Sequence, residues 1–130
     1  MENREKARRT EFTEQFNEVT LLFADIANFT KYSSSVTPEE VVKMLRDLFT
    51  EFDKMCLNFN VYKVYTIGDC YVVSGLVDAT VIRDPVEEAA NVLCMGFSMI
   101  EIIKKIRTRI NFHELDMRIG IHTVPILKKW

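Results

Sequence analysis

The pattern of apolar and polar residues along the chain predicts four β-strands. Residues Val19–Ile26 form a nearly continuous apolar run of strand-favouring residues, which is typical of a buried central strand. Two further apolar runs, Val61–Ile67 and Cys70–Leu76, are separated by the turn sequence Gly68-Asp69 and predict a hairpin. A last strand is predicted from about Leu115 to Thr123.

Two long amphipathic helices are predicted between these strands. The sequence Thr37-Pro38-Glu39-Glu40 combines a capping residue, a proline at the first helical position and a glutamate at the capping-box position. Asp84-Pro85 begins the second helix, with glutamates in its first turn. The apolar positions that predict the buried stripes are Val41, Leu45, Leu48, Phe52, Met55 and Phe59 in the first helix, and Val86, Ala90, Leu93, Phe97, Ile100 and Ile103 in the second.

The element order β-α-β-β-α-β predicts an α+β fold of the ferredoxin-like type. Such a fold has a four-stranded antiparallel sheet with the two long helices on one face. Phe52 and Phe97 are then both expected to be buried. The charged stretch Glu2–Asn17 precedes the first strand, and its large apolar residues Phe12 and Phe16 lie four positions apart. A short helix and a linker both fit that stretch.

This topology brings two aspartates to one edge of the sheet. The first and second strands run parallel and the third returns between them, so the end of the first strand lies beside the hairpin turn. Asp25 is at that end and Asp69 is in that turn. Carboxylate oxygens suit Mg²⁺ or Mn²⁺, and the free N–H groups of the turn Ile26–Thr30 suit a triphosphate. Taken singly, each aspartate is better explained as a turn or cap residue; for the pair the metal-site and structural explanations are equally good, and that alternative stays open.

Composition and charge narrow the classes of protein. The chain has 130 residues, which is one domain, with 48% hydrophobic and 28% charged residues, as in ordinary globular proteins. The formal net charge of −2 argues against a nucleic-acid partner. The cysteines (Cys56, Cys70 and Cys94) form neither a zinc pattern nor a disulfide framework, which favours a reducing, cytoplasmic setting. No stretch of about 18 apolar residues and no apolar leader occurs in the sequence.

Three motifs resemble the catalytic domain of class III adenylyl and guanylyl cyclases. They are FADIANFT at Phe23–Thr30, YKVYTIGDCY at Tyr62–Tyr71, and MRIGIHT at Met117–Thr123. Their order and spacing make the resemblance specific, and it covers about Val19–Thr123. Within that family the chain most resembles the metal-binding half of the two-domain guanylyl cyclases of ciliates and other protists.

The resemblance implies a two-metal mechanism. Asp25 and Asp69 would hold two Mg²⁺ or Mn²⁺ ions, with the carbonyl of Ile26 as an added ligand. Nucleotide and phosphate contacts are expected from Ile26, Ala27, Asn28, Phe29, Thr30 and Gly68. The implied reaction converts GTP, or with less preference ATP, to the 3′,5′-cyclic nucleotide and pyrophosphate, a lyase reaction that serves intracellular signalling.

Two positions depart from the family pattern inside the motifs. Asn28 replaces the usual glycine, and because asparagine tolerates the left-handed backbone region, the turn is expected to survive. Tyr65 occupies the position that selects the base, where the family has glutamate or lysine. This half is therefore expected not to read the purine itself, which favours a second cyclase catalytic domain as a heterodimer partner. A homodimer remains the other arrangement.

After Thr123 the sequence departs from the family altogether. The expected organisation is residues 1–17 as a charged linker or helix, 18–123 as a partial catalytic domain and 124–130 as a divergent tail. On this reading the domain is C-terminally truncated, and the chain alone is expected to be inactive. The alternative function is a catalytically silent dimerisation or regulatory fragment of a cyclase. The domain is expected to be cytoplasmic, and whether its parent protein is membrane-anchored is left open.

Overall fold

The computed structural model describes residues 13–129, and its side chains over 15–127. Four strands and three helices follow one another in the order β-α-α-β-β-α-β. In chain order they are β1 (Thr13–Ala27), α1 (Phe29–Ser35), α2 (Pro38–Phe59), β2 (Tyr62–Ile67), β3 (Cys70–Ser74), α3 (Pro85–Arg109) and β4 (Asp116–Lys129). The predicted α+β class is confirmed, with the short helix α1 added to it.

The four strands form one antiparallel sheet in the order β2-β3-β1-β4. Strand β1 is central and pairs with both β3 and β4. Because β3 runs antiparallel to β1 and to β2, the strands β1 and β2 point the same way with β3 between them, as predicted. The end of β1 therefore lies at the same edge of the sheet as the β2–β3 turn.

Both long helices begin where the capping signals predict. In α2 the hydroxyl of Thr37 accepts a hydrogen bond from the Glu40 N–H at 3.2 Å, and the Glu40 carboxylate accepts one from the Thr37 N–H at 3.4 Å. In α3 the Asp84 carboxylate accepts from the Glu87 N–H at 3.2 Å. These side chains satisfy backbone donors that a helix start leaves without an intrahelical acceptor.

Both helices share one hydrophobic core against one face of the sheet. From β1, alternate side chains point into this core, including Leu22, Ala24 and Ile26. From α2 the core takes Leu48 and Phe52, each fully buried. The α3 side chains in the same core are Val92, Met95, Met99, Ile102, Ile103 and Ile106. The predicted placement of both helices on one face is confirmed.

The predicted buried stripe of α3 is confirmed at Ile103 and wrong at most of its other positions. Phe97 is 63% exposed, and Val86 and Leu93 are also exposed. The reason is that a second apolar stripe, which includes Val92, Met95 and Met99, packs against the sheet in its place. Gly96 lies on this buried side, and a Cβ atom there would be in ordinary contact with Leu22 Cδ1 at 3.4 Å. Turning Gly96 toward the sheet rotates the neighbouring Phe97 into solvent, because adjacent helix residues are about 100° apart.

The first and last strands are longer than predicted. Thr13–Asn17 belong to β1, not to a helix or linker, while Phe12 and the residues before it lie outside the described residues. Strand β4 continues past Thr123 to Lys129. The two extensions pair with each other, as in Phe16 with Ile126, beyond a bulge in β1 between Phe16 and Val19. Thr13–Asn17 is mostly polar and does not predict a strand by itself, but its pairing with the β4 extension stabilises it as one.

A buried tyrosine ties the β2–β3 hairpin to α2. The Tyr71 hydroxyl donates a hydrogen bond to Asp53 Oδ1 at 2.6 Å and lies 3.4 Å from the sulfur of Cys56. The Tyr71 ring packs edge-on against Phe52 at 5.2 Å, and the Lys63 ammonium lies 5.5 Å from the Tyr71 ring centre. Burial raises the pKa of Tyr71 well above its usual value, and the bond to Asp53 raises it further, so the phenol stays protonated and donates.

Replacing Tyr71 with phenylalanine is expected to lower the free energy of unfolding by about 1 kcal/mol. The substitution keeps the packed ring and removes the hydrogen bond, while the half-exposed Asp53 regains water. Urea unfolding followed by circular dichroism measures the change. Tyr62→Phe is the matched control, because Tyr62 is 52% exposed and its loss of a hydroxyl should cost less than about 0.5 kcal/mol. Equal effects of the two substitutions would contradict a specific role for the Tyr71 hydroxyl.

Candidate active site

Asp25 and Asp69 come together at the end of the sheet where β1 ends. Asp25 is the third residue from the end of β1, and Asp69 lies in the turn between β2 and β3. The Asp69 carboxylate accepts a hydrogen bond from the N–H of Ile26 at 3.3 Å, so it lies against the residue that follows Asp25. Gly68 makes this turn possible with a φ of 57°, in the left-handed region that other residues seldom adopt.

An open cleft of about 660 Å³ lies over this point. It contains most of the positions that the sequence singled out. The residues lining it are Asp25, Ile26, Asn28, Phe29, Thr30, Lys31, Ser34, Asp69 and Arg118. Two of the predicted phosphate-contacting residues, Ala27 and Gly68, belong to the adjoining backbone and do not line the cleft. The catalytic and metal-binding roles of these residues stay predictions at this point.

The turn between β1 and α1 keeps its shape with asparagine in place of glycine. Asn28 has φ 65° and ψ 21°, in the left-handed region, as the sequence led us to expect. Its side-chain amide donates a hydrogen bond to the Glu114 carbonyl at 2.7 Å, which anchors the turn to the segment before β4. The N–H groups of the first turn of α1 follow directly along the cleft wall and have no intrahelical acceptor.

Arg118 is a cleft residue to which the sequence analysis gave no role. It pairs with Asp25 across the β1–β4 ladder, and its Nε donates a hydrogen bond to Asp25 Oδ1 at 2.8 Å. The register of β1 against β4 is the signal that would have identified it. The other cation of the cleft, Lys31, is bound to the Glu114 carboxylate at 2.6 Å.

The donor atoms at this edge suit a hard divalent cation. The two carboxylates, and the backbone carbonyl predicted as a third ligand at Ile26, would all supply oxygen atoms, and Mg²⁺ characteristically takes one or two carboxylates together with substrate phosphates and water. Over residues 13–129, no group of three or more histidine, cysteine, aspartate or glutamate side chains forms a complete protein-only metal site. The chemistry of the donor set fits a cation that arrives with a phosphate ligand.

The pKa of the Cys70 thiol is affected by the negative charge of the two aspartates. Burial raises the pKa of Cys70, and the carboxylates of Asp25 and Asp69 raise it further because they oppose a thiolate. Both aspartates therefore act electrostatically on one sulfur atom. The thiol stays protonated, and so weakly nucleophilic, at neutral pH.

Replacing Asp25 with asparagine is expected to lower the pKa of Cys70 and to speed its alkylation. The change removes one of the two negative charges that disfavour the thiolate, and alkylation follows the thiolate fraction. The measurement is the rate of bimane labelling at Cys70 between pH 7 and 10, read by peptide mass spectrometry. Exposed Cys94 in the same sample is the internal control. An unchanged pH profile at Cys70 would contradict the electrostatic contact.

Tyr65 lies beside the cleft, not in it. It is 44% exposed on the sheet face that carries no helix, and it pairs in register with Val72, which pairs in turn with Phe23. These side chains line an apolar groove of about 720 Å³ that also includes Leu21, Tyr62 and Leu127. The Tyr65 hydroxyl makes no hydrogen bond to any residue between 15 and 127.

The fold and the cleft define a two-layer α+β domain with a carboxylate pair at the edge of its sheet. The family model described as adenylate and guanylate cyclase catalytic domain matches residues 12–129. The chain belongs to this family, and members of the family use divalent metal ions. The resemblance carried by the three sequence motifs is thereby confirmed.

Known members of the family agree with this assignment. Atrial natriuretic peptide receptor 2 of Homo sapiens is 43% identical over 115 residues, which are 87% of this chain and 11% of the receptor. The dimeric guanylyl cyclase domain of the RhoGC fusion protein from Blastocladiella emersonii superposes with a TM-score of 0.75 at 32% identity, over 91% of this chain and 62% of that domain. The guanylate cyclase domain of RhGC from Catenaria anguillulae, solved in complex with GTP, gives 0.71 at 30% identity, over 86% and 59%.

This chain thus spans only a small part of the curated receptor and about three fifths of the solved domains. Among the helices of residues 13–129, none combines the length and the apolar character needed to cross a bilayer.

Proposed function

We propose that this chain forms the metal-binding half of a purine nucleotide cyclase site. The reaction converts GTP, or with less preference ATP, to the 3′,5′-cyclic nucleotide and pyrophosphate, for use as an intracellular signal. One observation carries the proposal. Asp25 and Asp69, 44 positions apart in sequence, line one cleft together with the backbone of the β1–α1 turn, and Asp69 is hydrogen-bonded to Ile26.

Asp25, Asp69 and the Ile26 carbonyl are the residues we assign to the metals, two Mg²⁺ or Mn²⁺ ions. When bound, such ions supply charge neutralisation of the triphosphate and activation of the ribose 3′-hydroxyl for in-line attack on the α-phosphorus. The protein's own contribution is positional. The β1 strand end and the β2–β3 turn bring both carboxylates to one side of the cleft, where one oxygen of Asp69 is fixed by the Ile26 N–H.

The wall of the cleft supplies donors for the phosphates. The first-turn N–H groups of α1 follow Asn28, whose left-handed backbone turns the chain from the sheet into the helix. Backbone donors of this kind hold phosphate oxygens without adding mobile charge. Phe29 and Thr30 carry such donors and line the cleft, which supports phosphate contacts at these two of the predicted positions.

A second cyclase catalytic domain is the partner we assign to the open sheet face. Tyr65 has a phenol where a charged base-reading side chain would be needed, so base recognition falls to the partner. The apolar groove around Phe23 and Tyr65 lies on the same sheet face as Asp25 and is exposed in this chain. A heterodimer explains both features, since the partner covers the groove and contributes the base contacts. We place the domain in the cytoplasm, where its triphosphate substrate is found.

The test is complementation. The full chain is mixed with a second catalytic domain of the family whose own two metal-site carboxylates have been changed to amides, so only Asp25 and Asp69 can hold the metals. Cyclic GMP and cyclic AMP are measured with Mn²⁺ and either GTP or ATP. We expect cyclic GMP from the mixture and no measurable product from the chain alone.

The groove also favours a second function, a catalytically silent dimerisation or regulatory domain. The complementation experiment also distinguishes this second function from the catalytic one. Binding of the partner without any cyclic nucleotide, at saturating Mn²⁺ and nucleotide, would favour the silent domain and would contradict the catalytic half. Robust cyclic GMP synthesis by the chain alone would contradict the need for a partner.

A further inference from the structure

Arg118 is bound to one of the two candidate metal ligands. Its Nε donates to Asp25 Oδ1 at 2.8 Å, with side chains that are 69% exposed for Arg118 and 40% exposed for Asp25. The strand register fixes this contact, because Arg118 and Asp25 are direct partners on adjacent antiparallel strands and share a face. Among residues 15–127, the carboxylate of Asp25 is the one that forms an ion pair with Arg118.

The two cationic side chains of the cleft, Lys31 and Arg118, form ion pairs with carboxylates in different places. Lys31 is bound to Glu114, which does not line the cleft. Arg118 is bound to a carboxylate that lines it. A divalent ion at Asp25 competes for the oxygen that Arg118 holds, and it repels the guanidinium through their like charges. Because the pair is exposed, breaking it costs little.

We propose that Arg118 is an exchangeable counterion of the site. It neutralises Asp25 while no divalent cation is bound, and on release it binds a phosphate oxygen of the incoming nucleotide. Its position supports both states. Arg118 lines the main cleft and also the adjoining cavity next to Phe23 and Cys70, so its head group has open space on either side of Asp25. A guanidinium presents a planar set of donors that matches phosphate oxygens.

The inference rests on the proposed function and is tested by binding rather than turnover. Isothermal titration of the full chain with Mn²⁺ alone gives the metal affinity. Arg118→Gln is expected to bind Mn²⁺ about 2- to 5-fold more tightly, because the competing cation is gone. Titration with Mn²⁺ and a non-hydrolysable GTP analogue is expected to show the opposite, an affinity about 5- to 10-fold weaker, because a phosphate contact is lost.

Two further variants sharpen the test. Arg118→Lys keeps the charge and loses the planar donor set, so its Mn²⁺ affinity should stay near that of the unaltered chain while nucleotide affinity falls. Lys104→Gln removes one positive charge from an exposed α3 side chain that pairs with Glu101 and does not line the cleft, and should change neither affinity. Circular dichroism verifies that each variant is folded.

The opposite signs of the two effects are the signature of exchange. Unchanged or weaker Mn²⁺ binding in Arg118→Gln would overturn the inference, as would nucleotide binding that is unaffected. If Lys104→Gln changed both affinities as much as Arg118→Gln does, the changes would be explained by net charge alone, and the inference would be overturned. Mn²⁺ binding that survives Asp25→Asn would instead overturn the assignment of Asp25 as a ligand, which is the proposed function itself. Absence of Mn²⁺ binding by the unaltered chain would overturn both.

Discussion

Replacing Asp25 with asparagine is expected to reduce cyclic GMP formation in the complemented mixture by about 10³-fold or more. A metal ion that neutralises developing phosphate charge contributes several kcal/mol to the transition state, and each 1.36 kcal/mol is a factor of ten in rate. The fold should survive, because Asp25 lies at a strand end and its side chain is 40% exposed. The measurements are product formation with Mn²⁺ and GTP and the urea unfolding midpoint of each variant.

Asp69→Asn should give a loss of similar size, and the double variant little more than either single one, because ligands of one site act as a unit. Asp47→Asn is the matched control. Asp47 is a partly exposed α2 carboxylate paired with Lys43 at 3.2 Å, outside the cleft, and its loss should leave product formation unchanged. Activity that survives either cleft substitution would contradict the assigned metal ligands.

Truncating Phe52 to alanine is expected to cost about 3–5 kcal/mol of stability, whereas truncating Phe97 should cost less than about 0.5 kcal/mol. Phe52 is fully buried and packs against the Tyr71 and Phe49 rings at 5.2 and 6.0 Å, so its loss leaves a cavity. Phe97 is mostly in solvent, and alanine is the better helix former. Urea unfolding of both variants gives the comparison.

The expected loss of stability in Phe52→Ala is a large fraction of the total free energy of unfolding of the domain. A domain of this length usually has about 5–15 kcal/mol of total stability, so Phe52→Ala should lower the fraction folded at physiological temperature. Similar losses for the two phenylalanines would mean that Phe97 is covered in solution, which would restore the stripe predicted from the sequence and contradict the exposed face of α3.

Much of the fold can be predicted from sequence patterns that extend over only a few residues. The capping box at Thr37 and Glu40 marks where α2 begins because its two hydrogen bonds join residues three apart. The turn at Gly68 and the apolar run after Val19 likewise specify a hairpin and a central strand. Given those elements, strand direction alone brings Asp25 and Asp69 to the same edge, which is why the candidate site follows from the sequence.

Other features depend on contacts between distant segments. Helix α3 carries two apolar stripes, and its rotation about its axis depends on which of them packs on the sheet. The stripe with Met95 and Met99 is buried, and the one with Phe97 is exposed. The contact between Arg118 and Asp25 requires the register of β4 against β1. Neither is encoded by a spacing within one segment, so periodicity could not predict them.

The pairing of β1 with β4 also determines how early the sheet can be completed while the chain is being synthesised. Thr13–Ala27 leave the ribosome before their ladder partner Asp116–Lys129, which follows about a hundred residues later. Contacts of such long sequence separation slow folding, because the loop between them must close before they stabilise the chain. Until β4 arrives, one edge of β1 is unpaired and open to other nascent chains or to chaperones. The cleft, with Asp25 on one strand and Arg118 on the other, cannot be completed before β4 pairs with β1.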